Sequence, residues 1–581
     1  MRNEKFWFGL AFVLAITVRL LRLGEMPLSD AEAAWALQSL DLARGLPFDF
    51  GPNPAYVNLT ALVFFLLQAS NFAARLVPAL AGAALVLAPF FFRDRLGGKV
   101  ALILAFVLAF EPGLLALSRQ ADGPILAVSF SVLAWGVWRS NMPRLAGFLA
   151  GLALLSGSAL WLGLLGLVLA FALAKVFAPG GFGLSFGAER VRAAAYFAAG
   201  TYFLLGSLFL VAPGGLGAGL SGLLGIFTSF LTPGGVPPWL PLLALLFYQF
   251  PAVVLALVSL GRLFARRDPL VIFLGIWLLA ALLVAILPPS RQVGDLAWAL
   301  LPLWTLAALE AARWLEPVRP VVELQVFASE ENPDEAELRP VTISSGLWET
   351  LSMALLTAVL LVFAWLNFSA AVLVTFPPET VQLRWLLTAV TLAMLVLSVG
   401  LVAFGWSVSA SFKGFAWGGM SMLIIYLVAV ASFAANLRPL PTVEMWPAGP
   451  QSSAAYVIRD QVNEISQFSR GANASLDVVL VETNSPALRW LLRDWRVTQA
   501  QVISVDAVPE LILMPANTLP PELEPAYRGA SFHLRAYPAW EQASLDDWMR
   551  WIINHTLPQR QESILLWARG DLFPDAQNPG P

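Results

Sequence analysis

Two carboxylates stand at the start of a predicted helix near the N-terminus. Asp30 and Glu32 follow Ser29, and a serine with a glutamate three residues later forms a capping box. The helix is therefore predicted to begin at Asp30 and to run to Ala43, with Gly45 as its stop. A carboxylate so placed can take a proton as a general base. Residues two apart on a helix point to different faces, so Asp30 and Glu32 cannot both reach one proton.

Each carboxylate also has a structural interpretation that needs no chemistry. Glu32 is fully explained as the capping-box partner of Ser29, which makes Asp30 the better candidate for a base. Asp30 would be stabilised in the first helical turn by the helix dipole alone. Both interpretations of Asp30 therefore stay open at the level of the sequence.

Four further charged residues stand near the ends of apolar runs: Arg75, Arg119, Asp122 and Arg291. A guanidinium group binds phosphate in a bidentate way, so the three arginines are candidates for holding an anionic ligand. Arg119 and Asp122 can instead pair with each other in a solvent-facing loop, where an ion pair contributes little. Arg75 and Arg291 can equally extend to lipid headgroups.

The composition indicates that most of the chain lies in lipid. Of its 581 residues, 58% are hydrophobic and only 13% are charged, whereas soluble domains carry roughly a quarter of charged residues. The length allows a large helical bundle and one additional domain. The net charge of −3 gives no electrostatic reason to expect nucleic acid binding, and the lack of cysteine excludes disulfides, thiolate metal sites and thiol nucleophiles.

Apolar runs of spanning length predict about thirteen transmembrane helices. The first covers Phe6 to Leu21, and Ser156 marks the tip of a tight helical hairpin formed by the runs 146–157 and 159–176. Besides the first run, the twelve runs centre near Leu85, Leu104, Val128, Leu152, Leu167, Leu204, Leu245, Leu278, Leu303, Leu360, Leu395 and Ile425, and those at Leu152 and Leu167 form the hairpin.

The basic residues orient these spans. Under the positive-inside rule the more basic loops, such as those with Arg93, Arg95 and Lys99, fall on the cytosolic side. This predicts a cytosolic N-terminus, an exoplasmic C-terminus and an outward loop at 24–56. The acidic loop 316–346 is predicted to be a solvated cytosolic connector.

After Arg438 the composition changes, which predicts a bundle over 1–438 and a separate exoplasmic α/β domain over 439–581. Trp490, Trp495, Trp548 and Trp551 of this tail are predicted to be core or interfacial anchors rather than surfaces that bind sugar. The predicted elements of the tail are helices at Ser453 to Phe468, Pro486 to Trp495 and Leu545 to Ile553, and strands at Leu476 to Val481, Gln501 to Val505, Glu510 to Met514 and Ser531 to Tyr537.

The order of these features resembles the C-class, lipid-sugar-dependent glycosyltransferases, among them protein O-mannosyltransferases and lipid A aminoarabinose transferases. The resemblance is carried by the acidic outward loop, by the stretch from Ser70 to Gly82 that enters the second span, and by Ser118-Arg-Gln-Ala-Asp122. The tail segment from Leu488 to Trp495 is similar to that of a subfamily associated with flippase activity. The acidic pair of the family is usually contiguous, whereas Ala31 separates Asp30 from Glu32 in this chain.

The resemblance implies inverting transfer of a sugar from a polyprenyl phosphate to an acceptor, which is a protein, a lipid or a glycan, on the outer face of the membrane. Asp30 or Glu32 would take the acceptor proton, and Arg75, Arg119 and Arg291 would hold the donor phosphate beside Asp122. No cofactor is predicted, although a divalent metal at the leaving group is compatible with this chemistry. The expected site is a pocket of several hundred Å³ lined by Asp30, Asp122 and at least one of these arginines.

Two other functions are compatible with the same sequence. One is a non-catalytic scaffold or flippase-associated protein that keeps the fold and has lost the base. The other is a secondary transporter, which the sequence favours less because transporters place polar, broken-helix sites in repeated halves and no repeated pair occurs.

Overall fold

The structure is a computed structural model dominated by helices. It describes residues 2–177, 187–262, 268–316, 321–328, 336–344, 346–374, 376–405, 407–438, 442–446, 454–503, 508–517 and 526–573.

Twenty helices precede the tail in the described part of the chain. The first ten are α1 (Arg2–Leu20), α2 (Asp30–Arg44), α3 (Pro54–Leu67), α4 (Asn71–Leu85), α5 (Ala88–Phe91), α6 (Arg93–Leu96), α7 (Gly98–Phe110), α8 (Pro112–Ser118), α9 (Pro124–Arg139) and α10 (Pro143–Leu154). The next ten are α11 (Ser158–Phe177), α12 (Ala188–Gly206), α13 (Gly214–Leu231), α14 (Trp239–Tyr248), α15 (Phe250–Gly261), α16 (Pro269–Ile286), α17 (Ala297–Trp314), α18 (Leu347–Leu373), α19 (Pro378–Gly405) and α20 (Val408–Ala434).

Eight of the described helical segments are long and apolar enough to cross a membrane, or ten when each of two bent pairs is counted as one span. The polytopic helical fold predicted from the sequence is therefore confirmed, and the chain is a multi-pass membrane protein. The predicted list of spans omitted α13, which passes the same criteria of length and apolarity. Its glycine-rich sequence resembles a loop because glycine is a poor helix former.

The two bent pairs meet through polar side chains. Helices α7 and α8 differ in direction by 53° and α14 and α15 by 89°. Glu111, between the first two, accepts hydrogen bonds from the N–H groups of Gly113 and Leu114 and so caps α8. Gln249, between the second two, donates to Glu111 and accepts from the indole of Trp304 at 2.8 Å. The polar side chains of the two bends therefore hydrogen-bond to each other, as buried polar groups must when no water reaches them.

The helix break predicted at Ser156 is confirmed, but the two helices beside it do not form a tight hairpin. Gly157 adopts the left-handed conformation with φ of 82° between α10 and α11. Helix α10 then packs mainly against α9 and α12, whereas α11 packs against α16 and α13. The separation follows from the small residues on α10, because Gly147 and Gly151 approach the backbone of α12 closely.

The short helix α2 confirms the predicted capping box. Ser29 accepts from the N–H of Glu32, the Glu32 side chain accepts from the N–H of Ser29, and Gly45 ends the helix with φ of 70°. Its apolar face packs inside the protein: Ala33, Ala36 and Leu40 are buried in a cluster that includes Trp490 of the tail. Helix α2 is thus held between the bundle and the tail domain.

The acidic loop, predicted to be a solvated connector, contains an antiparallel strand pair, β1 (Val321–Ala328) and β2 (Ala336–Ser344). Four acidic residues of this loop, Glu330, Glu331, Asp334 and Glu335, lie outside the described residues.

The tail forms the predicted small α/β domain. Its helices are α21 (Ala455–Arg470), α22 (Pro486–Leu491) and α23 (Leu545–Asn554), and its strands are β3 (Asp477–Val481), β4 (Arg496–Ala500), β5 (Leu511–Pro515), β6 (Tyr527–Pro538) and β7 (Gln559–Arg569). The strand order is β4-β3-β5-β7-β6, with the first three parallel and β7 antiparallel to both of its neighbours.

Two predicted features of the tail differ from the structure. The strand predicted at Gln501 to Val505 is wrong for residues 501–503, which follow the end of β4 at Ala500, and its last two residues lie outside the described residues. Strand β7 was missed, since its polar start at Gln559 masks the alternation that marks a strand. The predicted anchoring of the tail by aromatic residues is confirmed: Trp551 and Trp548 pack into the bundle core, and Trp490 is buried against α2 and α3.

Candidate functional site

A cavity of about 450 Å³ lies between the bundle and the tail domain, and we call it the seam cavity. Its bundle side comes from the loop before α2 and from the start of α4, and its tail side comes from α21, α22 and β6. The lining residues are Gly24, Pro27, Leu28, Asp30, Ser70, Asn71, Phe72, Ala455, Tyr456, Arg459, Asp460, Ala487, Trp490, Leu491, Arg493, Leu534 and Arg535.

Asp30 lines the seam cavity and is bound by groups of the tail domain. Its Oδ1 accepts hydrogen bonds from the hydroxyl of Ser485 at 2.7 Å and from the N–H of Ala487 at 3.0 Å. Its Oδ2 lies 2.7 Å from both Nε and Nη2 of Arg535. The carboxylate is half-buried, and it lines the cavity while it contacts the tail directly. A proton acceptor at this position therefore sits at the junction of the two domains.

Arg535 also links Asp30 to the sheet of the tail. Its Nη1 lies 2.9 Å from Glu562 Oε1 on β7, and the hydroxyl of Tyr537 donates to the same carboxylate at 2.8 Å. Burial favours the neutral form of Arg535, but the charges of Asp30 and Glu562 outweigh this effect and raise its pKa. Arg535 is therefore a firmly charged cation shared between two carboxylates.

Glu32 lies outside the seam cavity, on the opposite side of α2 from Asp30. It is fully buried and pairs in a bidentate way with Arg75, with Nε–Oε1 at 2.8 Å and Nη2–Oε2 at 2.9 Å. The N–H of Ala121 donates to it at 3.0 Å. Burial alone would raise the pKa of Glu32, but the charge and hydrogen bonds of Arg75 and the backbone donors of Ala121 and Ser29 lower it. This arrangement joins α2, α4 and the loop after α8.

The three arginines expected to hold phosphate bind backbone carbonyl groups instead of lining the seam cavity. Arg75 donates to the carbonyls of Leu23, Met26 and Pro27 in addition to Glu32. Arg119 donates to the carbonyls of Val18, Arg19 and Leu21 at the end of α1. Arg291 donates to those of Ile286 and Val236. Arg119 and Arg291 thus satisfy carbonyl groups at or near a helix end, whereas Arg75 binds carbonyl groups of the loop between α1 and α2.

Asp122 is half-buried in the loop between α8 and α9, away from the residues that line the seam cavity. Its Oδ1 accepts from the N–H of Gly123 at 2.6 Å. Burial, together with the nearby charge of Glu32, raises its pKa from 3.8 to about 6. The surface ion pair considered for Arg119 and Asp122 does not form, because the guanidinium of Arg119 is taken up by carbonyl oxygens.

The structure supplies the seam cavity with cations that the sequence interpretation did not select. Arg459, Arg493 and Arg535 all come from the tail, more than 350 residues after α4. The segment from Leu488 to Trp495, which contains Arg493, was noted only for its similarity to other tails. Within the described ranges no group of three or more His, Asp and Glu side chains could hold a metal ion.

Comparison with known proteins identifies the fold. No family model matches the chain, and no curated protein matches it in sequence. Two solved structures match it over nearly its whole length: ArnT from Cupriavidus metallidurans bound to undecaprenyl phosphate, and the same protein in the apo state. Identity is 14% in both cases, and the alignments cover 98% of this chain and 98% and 99% of theirs, with TM-scores of 0.54 and 0.55. The chain thus has the fold of ArnT, an aminoarabinose transferase of the C-class glycosyltransferase type.

Proposed function

We propose that this protein transfers a sugar from a polyprenyl-phosphate donor to an acceptor on the outer face of the membrane. The observation that carries the proposal is the position of Asp30: a carboxylate lines a cavity of about 450 Å³ together with three arginines. Such a volume lies in the range of small-molecule sites, roughly 300 to 1,000 Å³. The ArnT fold, in a protein crystallised with undecaprenyl phosphate, supports the same donor class.

In this proposal Asp30 is the general base of an inverting displacement. The hydroxyl oxygen of the acceptor attacks the anomeric carbon of the donor sugar while its proton passes to the Asp30 carboxylate. The bond between the anomeric carbon and the phosphate oxygen breaks, and its electron pair leaves with the polyprenyl phosphate. Guanidinium groups beside the cavity stabilise the charge of this leaving group.

The test is transfer by the full-length protein in lipid nanodiscs supplied with polyprenyl-phosphate sugars and with protein, lipid and glycan acceptors. The proposal expects time-dependent loss of sugar from the donor and release of free polyprenyl phosphate. If no acceptor leads to release of polyprenyl phosphate, although the protein still binds this lipid, the protein is not a transferase.

A non-catalytic scaffold is the second candidate, and one observation favours it. Both oxygens of Asp30 already accept hydrogen bonds, from Ser485, Ala487 and Arg535. A carboxylate used only to dock the tail onto the bundle would look the same. The transfer assay separates the two functions, because a scaffold binds lipid and tail without consuming the donor.

The orientation in the membrane is part of the proposal. The basic loops predict a cytosolic N-terminus and an exoplasmic tail, which would put the seam cavity on the outer side. Alkaline phosphatase fused after Pro581 should therefore be active, because it folds only outside the cytosol, and a green fluorescent protein at the same place should be dark. The reverse pattern, with fluorescence and no phosphatase activity, would overturn this orientation.

A further inference from the structure

We propose that the tail domain, rather than the bundle, supplies the phosphate site of the seam cavity, and that a lipid-linked phosphate monoester binds between Arg493 and Arg459. The inference rests on the proposed function for the identity of its ligand. It assigns binding to two arginines outside the membrane bundle. Its first support is the lining of the cavity, where Arg459 and Arg493 stand together, while the charge of the third arginine, Arg535, is shared by Asp30 and Glu562.

Within the described residues, Arg493 is the cavity arginine that forms no ion pair with a carboxylate. Its guanidinium lies 4.6 Å from the ring centre of Trp490 and donates to the carbonyls of Trp490 at 2.9 Å and Ala69 at 3.3 Å. These contacts fix the planar group through neutral partners and leave it without a hydrogen-bonded carboxylate. Burial lowers its pKa; the charge of Asp494 opposes this effect, and the like charge of Arg459 adds to it. An anion at this place would relieve that repulsion.

Arg459 is the second cation of the site, and its ion pair with another residue is weak. Its carboxylate partner is the adjacent Asp460, at 2.8 Å on an exposed surface, and pairs of this kind contribute little. It lies 5.1 Å from the ring centre of Tyr456, whose hydroxyl accepts from the amide of Asn71 at 2.6 Å. Arg459 can therefore turn to a phosphate in the cavity at small cost.

The position of the cavity favours a lipid as the source of the phosphate. Phe72 lines the cavity and is 40% exposed, and Phe65, Leu66 and Leu67 at the end of α3 are exposed by 60% or more. An apolar surface thus lies next to the cationic wall, at the turn between α3 and α4. A polyprenyl chain can follow this surface while its phosphate reaches the arginines. Inorganic phosphate has no apolar chain, so it would not contact this apolar surface.

The test measures binding without sugar or acceptor, so that it is independent of transfer. Full-length protein in nanodiscs is titrated with undecaprenyl phosphate, and in a separate arm with inorganic phosphate. We expect Arg493→Gln to weaken binding of the lipid by about 10- to 100-fold, because hydrogen bonds to charged groups are being lost. Arg489→Gln changes an exposed arginine of α22 that does not line the cavity, and this variant should bind as wild type does.

Arg493 also contacts Ala69, so its variant is checked by intrinsic fluorescence and by size-exclusion profile. Arg459→Gln, which leaves the packing of α22 intact, is the second variant and should weaken binding several-fold. Wild-type affinity in both variants would overturn the proposal. Arginine-dependent binding of inorganic phosphate without any binding of undecaprenyl phosphate would overturn the lipid source. If the protein transfers sugar but both variants bind undecaprenyl phosphate with wild-type affinity, only the proposed phosphate site is refuted. If binding depends on the two arginines but no sugar is transferred, only the proposed transferase function is refuted.

Discussion

Asp30→Asn is expected to reduce sugar transfer by about 100- to 10,000-fold, the usual cost of removing a general base. The substitution keeps the size of the side chain and one carbonyl oxygen. That oxygen can still accept from Ser485 and Ala487, so the docking of α22 should persist. The group that is lost is the charged oxygen at 2.7 Å from Arg535. Initial rates of polyprenyl phosphate release in nanodiscs measure the effect.

Two variants of the same helix serve as comparisons. Asp41→Asn removes a partly buried carboxylate of α2 that does not line the seam cavity, and it should leave the rate unchanged. Glu32→Gln should alter stability rather than the chemical step, since Glu32 pairs with Arg75 outside the cavity. Full activity of Asp30→Asn together with an inactive, folded Glu32→Gln would move the role to Glu32. Activity in both would place the site elsewhere.

Local signals predicted the helix that carries these carboxylates but not the partners of their side chains. The capping box and the glycine stop of α2 depend on residues within a few positions, so the sequence contains all that is needed. The partner of Asp30 is 505 positions away and that of Glu32 is 43 positions away. Only tertiary packing brings these pairs together, which is why Asp30 and Glu32 could be ranked but not explained.

The role of the bundle arginines was harder to predict for a related reason. An arginine near the end of an apolar run can bind a phosphate, reach a headgroup or cap a helix, and the sequence is the same in all three cases. Arg119 and Arg291 bind carbonyl groups at or near helix ends. The last carbonyl groups of a helix have no partner within the helix, so in an apolar setting they need another donor. The arginines of the tail gave no signal of their own, because the seam exists only once β6 and α22 meet the start of α4.

The second large effect is expected on stability, in Arg75→Met. Arg75 and Glu32 are both buried, with 4% and 0% of their side chains exposed. Removing one partner leaves the other charge without compensation in an apolar setting, and such losses typically cost about 3 to 5 kcal/mol. The pKa of Glu32 is lowered in the folded state, so its stabilising contribution is present above the unfolded-state pKa and is lost as the pH falls through the folded-state value. Chemical unfolding at neutral pH, followed by tryptophan fluorescence in detergent, measures the loss.

The double variant Glu32→Gln/Arg75→Met decides whether charge is the cause. It carries no buried charge at this site, so it should recover part of the stability that Arg75→Met loses, because an uncompensated ion is costlier than a neutral pair. Arg22→Met is the matched control: its partner Glu25 is exposed, and the ion pair between them should contribute nothing measurable to unfolding. Losses in Arg75→Met no greater than in Arg22→Met would mean that the pair does not hold α2 in place. In that case the position of Asp30 in the seam cavity would depend on the apolar packing of α2 and on the tail domain.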